Sequence, residues 1–139
     1  MSSARPQAYP HLAELLIGSR IAIALRVVAE HQIADRLATG PQTVETLSSA
    51  TGIPARMLRR LMRGLADIGV FEETAEGRFA NTDVSGYMRT DATPSLREMM
   101  LILNDDAVLQ GWQQLPKVLQ SGPSPLPRPM GYHFSNIRG

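Results

Sequence analysis

The sequence predicts a mainly α-helical protein: a winged helix-turn-helix with a short β-hairpin wing, with apolar helices before it and further helices after it. Three observations predict this. Leu, Ala, Met and Arg, all good helix formers, dominate the middle of the 139-residue chain. Apolar residues recur at helical spacing through several segments. Between residues 43 and 80 the signals run helix, tight turn, helix and two short strands, which is the order of a winged helix-turn-helix.

Residues 11–18 read as a short apolar helix carrying Leu12, Leu15, Leu16 and Ile17. A longer helix is expected over 19–37. Ile21, Ala24, Leu25, Val28, Ile33 and Leu37 roughly follow helical spacing, and Ile23, Val27 and Ala29 widen the stripe to most of the circumference. Such a helix is buried on several faces, either in a core or against another subunit. Ala38-Thr39-Gly40-Pro41 ends it. Thr43 can cap a short helix with Val44, Leu47 and Ala50, which stops at Gly52. Pro54 opens a second, since the first N–H of a helix has no partner to lose. Its apolar positions are Met57, Leu58, Leu61, Leu65 and Ile68, and it ends at Gly69. Strands are expected over 70–72 and 78–80, across a polar turn at 74–77. Thr82 or Asp83 then caps a short helix with Val84, Tyr87 and Met88.

Thr93-Pro94 leads into an apolar helix from Ser95 to about Leu103. Asn104-Asp105-Asp106 breaks it and caps a last helix through Trp112 to Leu119, which Pro116 should kink. From Ser121 on, the chain has the Pro/Gly-rich composition of a connector.

Composition excludes several function classes. With 14 basic and 13 acidic side chains the net charge is +1, without the positive excess of a typical nucleic-acid binder. There is no cysteine, so disulfides, thiolate metal sites and cysteine nucleophiles are ruled out. No segment has the roughly 18 consecutive apolar residues of a membrane span. Residues 1–10 are polar with two prolines, unlike a secretory signal, so a loose tail and a cytoplasmic protein are expected. No G-x-G exists to cradle a phosphate or dinucleotide. His11, His31 and His133 have no metal-ligand spacing, and nothing marks a nucleophile on a strained turn. By residue inventory alone the chain is not an enzyme, and no cofactor site is expected in it.

Two features can carry function. Arg56, Arg59, Arg60 and Arg63 are spaced i, i+3, i+4 and i+7 and share one face of the second helix of the winged motif. That suits a DNA reader; it equally suits a solvated face pairing with Glu45, Asp67 or a partner's acids. In the C-terminal third, Met99 to Leu103, Asn104 and Trp112 cluster about a helix break. Methionines and a tryptophan there can line a hydrophobic ligand site or simply pack a core.

The run HQIADRLATGPQTVETLSSATGIPARMLRRLMRGLADIGVFEETAEGRFANTDVSGYMRTD, with SLREMMLILND after it, resembles the opening domain of the plant caffeic-acid-type and bacterial polyketide O-methyltransferases. Trp112 to Leu119, Ser121-Gly122 and Gly131 to Phe134 continue the match, which covers about 11–134. The part after Arg89 separates this resemblance from a winged-helix DNA-binding regulator, the alternative reading. The resemblance implies that the winged fold does not read DNA but forms an intertwined homodimer. It implies a pocket for a small aromatic or polyketide-type substrate, floored by this domain and roofed by a Rossmann-like domain that binds S-adenosylmethionine. That family's donor loop, acidic ribose partner and catalytic histidine have no counterpart here, and some of its members hydroxylate or decarboxylate instead. A free-standing dimerisation module working in trans is a further alternative.

The implied organisation is a tail at 1–10, dimerisation helices at 11–38, the winged motif at 39–90, substrate-floor helices at 91–121 and a linker toward an absent catalytic domain at 122–139. A homodimer held by helices 13–37 is expected, because one small domain cannot bury so apolar a stretch, with Val28 inside the interface. Met100, Leu103, Asn104 and Trp112 are the implied substrate-binding residues, Asn104 offering one polar contact in a greasy floor. Nucleic acid and membrane are not expected partners.

Overall fold

The computed structural model describes residues 8–122. The expected tail up to residue 7 and the expected linker from 123 on lie outside the described residues. The rest is mainly helical with one small antiparallel sheet, in the order α1 (Ala8–Glu30), α2 (Ile33–Arg36), α3 (Val44–Thr51), α4 (Ala55–Asp67), β1 (Phe71–Glu73), β2 (Phe79–Asn81), α5 (Asp83–Gly86), α6 (Arg97–Leu103), α7 (Asp106–Gln113) and α8 (Leu115–Ser121). The chain divides into two compact units, with the boundary between Leu101 and Ile102.

The N-terminal helices differ from expectation. Helix α1 runs unbroken through Gly18 and takes in Pro10, which sits in its first turn where proline is tolerated. Glycine costs a helix interior only about 1 kcal/mol, too little to end a helix this long. The real break comes at Gln32, whose backbone is left-handed at φ 52°. Only the end of α1 enters the core, at Val28 and Ala29. Val28 is thus buried inside this chain, not at a subunit surface.

The middle follows local hydrogen-bond chemistry. The Thr43 hydroxyl accepts from the Thr46 N–H at 3.2 Å and starts α3, and Gly52 closes it at φ 75°. Helix α4 buries Leu58, Met62 and Leu65. Met57 and Ile68, expected on its packed face, stay about half exposed, and Met62, hidden between arginines, is fully buried instead. The two strands begin one residue later than expected, with Phe71 opposite Asn81 and Glu73 opposite Phe79. Gln42 adds a bridge to the free side of Phe79, with N–H···O distances of 2.9 and 2.8 Å. Phe71 and Phe79 fill the space beneath α3 and α4 together with Ile33, Leu47, Leu58 and Met62.

A polar seam fastens this hairpin. Thr82 caps α5: its hydroxyl accepts from Val84 and Ser85 N–H and donates to the Val70 carbonyl at 2.8 Å. Ser85 is fully buried yet satisfied, accepting from the Thr82 N–H at 2.9 Å and donating to Asn81 Oδ1 at 3.0 Å. Asn81 Nδ2 in turn donates to the Ala34 carbonyl at 2.8 Å. Two further ties reach across the unit: Asp35 Oδ1 accepts from the Thr90 N–H and hydroxyl, and Arg97 Nε donates to the Ala29 carbonyl at 3.0 Å. Met100 and Leu101 of α6 pack on the same core.

In the second unit, Asp105 caps α7 by accepting from the Ala107 N–H at 2.9 Å. The single helix expected through Trp112 to Leu119 is two helices. Pro116 stands in the first turn of α8, after a break at Gln114. Without an N–H, and crowding the preceding turn, proline starts a new helix here where a kink was expected.

Candidate functional site: an apolar surface on α1 and α4

The first half of α1 carries a run of exposed apolar side chains. Tyr9, Leu12, Leu15, Leu16 and Ile17 are all exposed, Leu16 to 73%, and Ile23 of the second half is exposed too. Scattered surface apolar residues need no explanation, but a contiguous group does. The helix is apolar on both sides because its inner side belongs to the chain's own core only near its end.

Beside it lies an open hollow of about 350 Å³ between α1 and α4, formed by Ile17, Ile21 and Ala24 on one wall and Leu61, Gly64 and Ile68 on the other. Arg20 and Arg60 stand among its lining residues. Exposed Met57 and Ile68 therefore have a reason: they extend the apolar side of α4 that Leu61 and Gly64 begin. A second hollow, of about 270 Å³, opens between α1, α5 and α6 and is lined almost wholly by apolar atoms, including Leu25, Val84, Tyr87, Met88 and Met100.

The four arginines of α4 do not form one free basic stripe. Arg59 Nη2 pairs with Glu45 at 3.0 Å, as one reading of the sequence expected. Arg63 forks onto both oxygens of Glu73, at 2.9 to 3.2 Å. That partner was not foreseen, because β1 brings it across ten residues of chain; Asp67, the acid proposed from the sequence, adds only a longer-range attraction. Arg56 and Arg60 remain without an ion pair among the described residues.

The hydrogen bonds from Arg63 hold the Glu73 carboxyl below the usual carboxylate range, and the same contact raises the Arg63 guanidinium. Since its folded value is depressed, Glu73 contributes stability that is present above the ordinary carboxylate range and is lost as the pH falls through the lowered value. Both partners are surface groups, so the contribution is small. Following the Glu73 carboxyl resonance by NMR should show it titrating below the ordinary carboxylate range, and Arg63→Ala should move it up toward that range. A wild-type Glu73 that titrates within the ordinary carboxylate range would show that the fork does not persist in solution.

Of the residues expected to bind substrate, Met100 lies in the first unit, half-buried, on the rim of the smaller hollow. Leu103, Asn104 and Trp112 belong to the second unit. Leu103 closes α6, Asn104 occupies the break before the Asp105 cap, and Trp112 is 52% exposed near the end of α7. Among the described residues no group of three or more His, Asp or Glu is placed to hold a metal ion. No described helix is long and apolar enough to cross a membrane.

Comparison with known proteins agrees with this geometry. Residues 13–91 match the family model "O-methyltransferase dimerisation domain". The phenazine O-methyltransferase of Lysobacter antibioticus is 30% identical over 123 residues, covering 88% of this chain and 36% of that protein. An O-methyltransferase of Streptomyces lavendulae is 39% identical over 108 residues, covering 78% of this chain and 32% of its own length. Among solved structures, LaPhzM superposes with a TM-score of 0.77 at 29% identity, over 84% of this chain and 35% of that one. The mitomycin 7-O-methyltransferase MmcR superposes with a TM-score of 0.75, also at 29% identity, over 88% of this chain and 36% of that one. The chain spans about a third of the length of these relatives. With a helical fold, an exposed apolar first helix and a family match over more than half its residues, the chain belongs to the O-methyltransferase dimerisation domain family.

Proposed function

We propose that this chain is the dimerisation and substrate-pocket part of an S-adenosylmethionine-dependent O-methyltransferase acting on an aromatic or polyketide-type small molecule. The observation that carries the dimerisation role is the exposed apolar first half of α1, which a single copy leaves in water. In this reading residues 11–38 supply the dimer helices, and 39–90 form a winged helix-turn-helix used as a scaffold. Residues 91–121 contribute part of the substrate floor, and 122–139 lead toward the catalytic domain. An intertwined homodimer of this kind buries about 2,000 Å² or more in total.

S-adenosylmethionine does not fit the residues described. No two of their glycines are separated by a single residue, so there is no G-x-G, and both hollows are lined mainly by apolar side chains. The donor joins a cationic sulfonium, a carboxylate and a ribose; one hollow offers it only the two cations Arg20 and Arg60, the other only the single acid Asp83, so neither holds the full set of partners. Donor binding and methyl transfer are therefore assigned to a further domain, supplied by the same polypeptide or in trans. The purified chain should transfer no labelled methyl group to an aromatic acceptor; measurable transfer would refute the scaffold reading.

Leu16→Asp should convert the dimer to monomer in sedimentation at micromolar concentration while leaving the far-UV circular dichroism helical, because Leu16 makes no core contact. A wild-type chain that sediments as a stable folded monomer would overturn the reading. For the substrate floor, Asn104→Ala and Trp112→Ala in the complete enzyme should weaken acceptor binding and leave donor binding unchanged.

The arrangement does not favour DNA binding, since Arg59 and Arg63 are committed to Glu45 and Glu73. A mobility-shift assay with upstream DNA should show no sequence-specific complex. An Arg59/Arg63-dependent, salt-sensitive shift would restore the regulator reading.

A further inference from the structure

The hollow between α1 and α4 has a charge pattern that selects its occupant. Its walls are apolar, and Arg20 and Arg60 bring two cations to it. Neither has an acidic partner among the described residues. On α1 only two acids occur, Glu14 and Glu30. Glu30 is held by Arg26 at 2.6 Å, whereas Glu14, exposed, has no ion pair among the described residues. Glu14 stands three residues before Ile17 and Arg20 three residues after it, and Ile17 itself lies on the wall of the hollow. Residues three apart share a helix face.

We infer that the hollow is filled by α1 of a second copy, crossing in the antiparallel sense at Ile17, so that Glu14 of each copy meets Arg20 and Arg60 of the other. This rests on the dimerisation role proposed above and specifies its register. A two-fold contact is self-complementary, so Ile17 meets its own image. An antiparallel crossing centred there sets Glu14 against Arg20 on both sides, whereas a parallel one sets like charges together. Two small residues permit a close approach. Gly18 lies beside the crossing and Gly64 lines the far wall, and a Cβ built at either meets nothing within 4 Å. Met57 and Ile68 extend the apolar side of α4 available to the incoming helix.

Gly64 gives a test that spares the fold. Gly64→Leu has open space at its Cβ and replaces a helix-interior glycine, so it should keep or raise the melting temperature. It should nevertheless raise the dimer dissociation constant about tenfold or more by filling the hollow. The charge test uses two versions of the full chain, Glu14→Lys and the double variant Arg20→Glu/Arg60→Glu. Each alone should dissociate at least tenfold more readily than wild type, because its own pairs become repulsive. Mixed in equal amounts they should form a heterodimer close to wild-type strength, since every pair in it is then opposite in sign.

Sedimentation and circular dichroism separate the outcomes. If all variants dimerise as the wild type does, the register is wrong while the dimer stands. If the variants are weakened but mixing restores nothing, the Glu14 pairing is wrong. A monomeric wild type would remove both this inference and the dimerisation role beneath it.

Discussion

Val28→Asp should abolish folding, not just assembly. Val28 is 1% exposed and belongs to the core cluster of this chain, with Ile33, Leu58 and Phe79 as fellow members. None of those neighbours can pair with a carboxylate. The effective penalty for an uncompensated buried ion is several kcal/mol, comparable with the roughly 5–15 kcal/mol that holds a domain together. The variant should show little helical signal and no cooperative thermal transition. The contrast with Leu16→Asp is informative, since both replace an apolar residue of the same helix. Cooperative melting of Val28→Asp near the wild-type temperature would mean that this end of α1 is not in the core.

Phe79→Ala is expected to cost about 3–5 kcal/mol, the range for removing a fully buried aromatic. The Phe79 side chain is completely excluded from solvent. Its backbone is held on one side by β1 and on the other by Gln42, and alanine keeps those bonds. The loss is therefore one of packing, and the neighbours cannot collapse far because two segments clamp the backbone. Urea unfolding should show a lower midpoint at unchanged slope. A loss below about 1 kcal/mol would mean that the hairpin packs more loosely than the structure indicates.

What could be read from residues alone was the chemistry of element ends. Thr43 and Thr82 each place an oxygen where a helix start leaves N–H groups unpaired, and Gly52 and Gly77 supply left-handed backbone. These signals are local and survive without knowledge of the fold. The end of α1 was not readable, because Gln32 adopts φ 52° without being the residue type that prefers it. Its neighbours Ile33 and Ala34 are both buried, and the turn at Gln32 leads the chain to them. Met62 was hidden among arginines, and Met57 and Ile68 looked like core because apolar residues at helical spacing serve a core or an interface equally well. The same ambiguity covers Met100, Leu103 and Trp112. Half of a shared pocket has no spacing rule of its own, so their proposed role comes from the family resemblance. Glu73 as the partner of Arg63 depended on strand register, which a one-residue shift would have reversed.

The 23 residues of α1 make a rod roughly 34 Å long at 1.5 Å per residue. Its buried residues, Val28 and Ala29, lie at its root, where Arg97 grips the Ala29 carbonyl, and Ala24 and Leu25 pack on the core just before them. A rod held at one end is a lever. A pivot of about 5° at the root sweeps the far tip by about 3 Å at that rise per residue, nearly the diameter of a water molecule. Whatever the tip touches is thus positioned from the Arg97 anchor, several helical turns away from it. Loosening that anchor with Arg97→Ala should blur the placement of Leu12 without touching any residue near it.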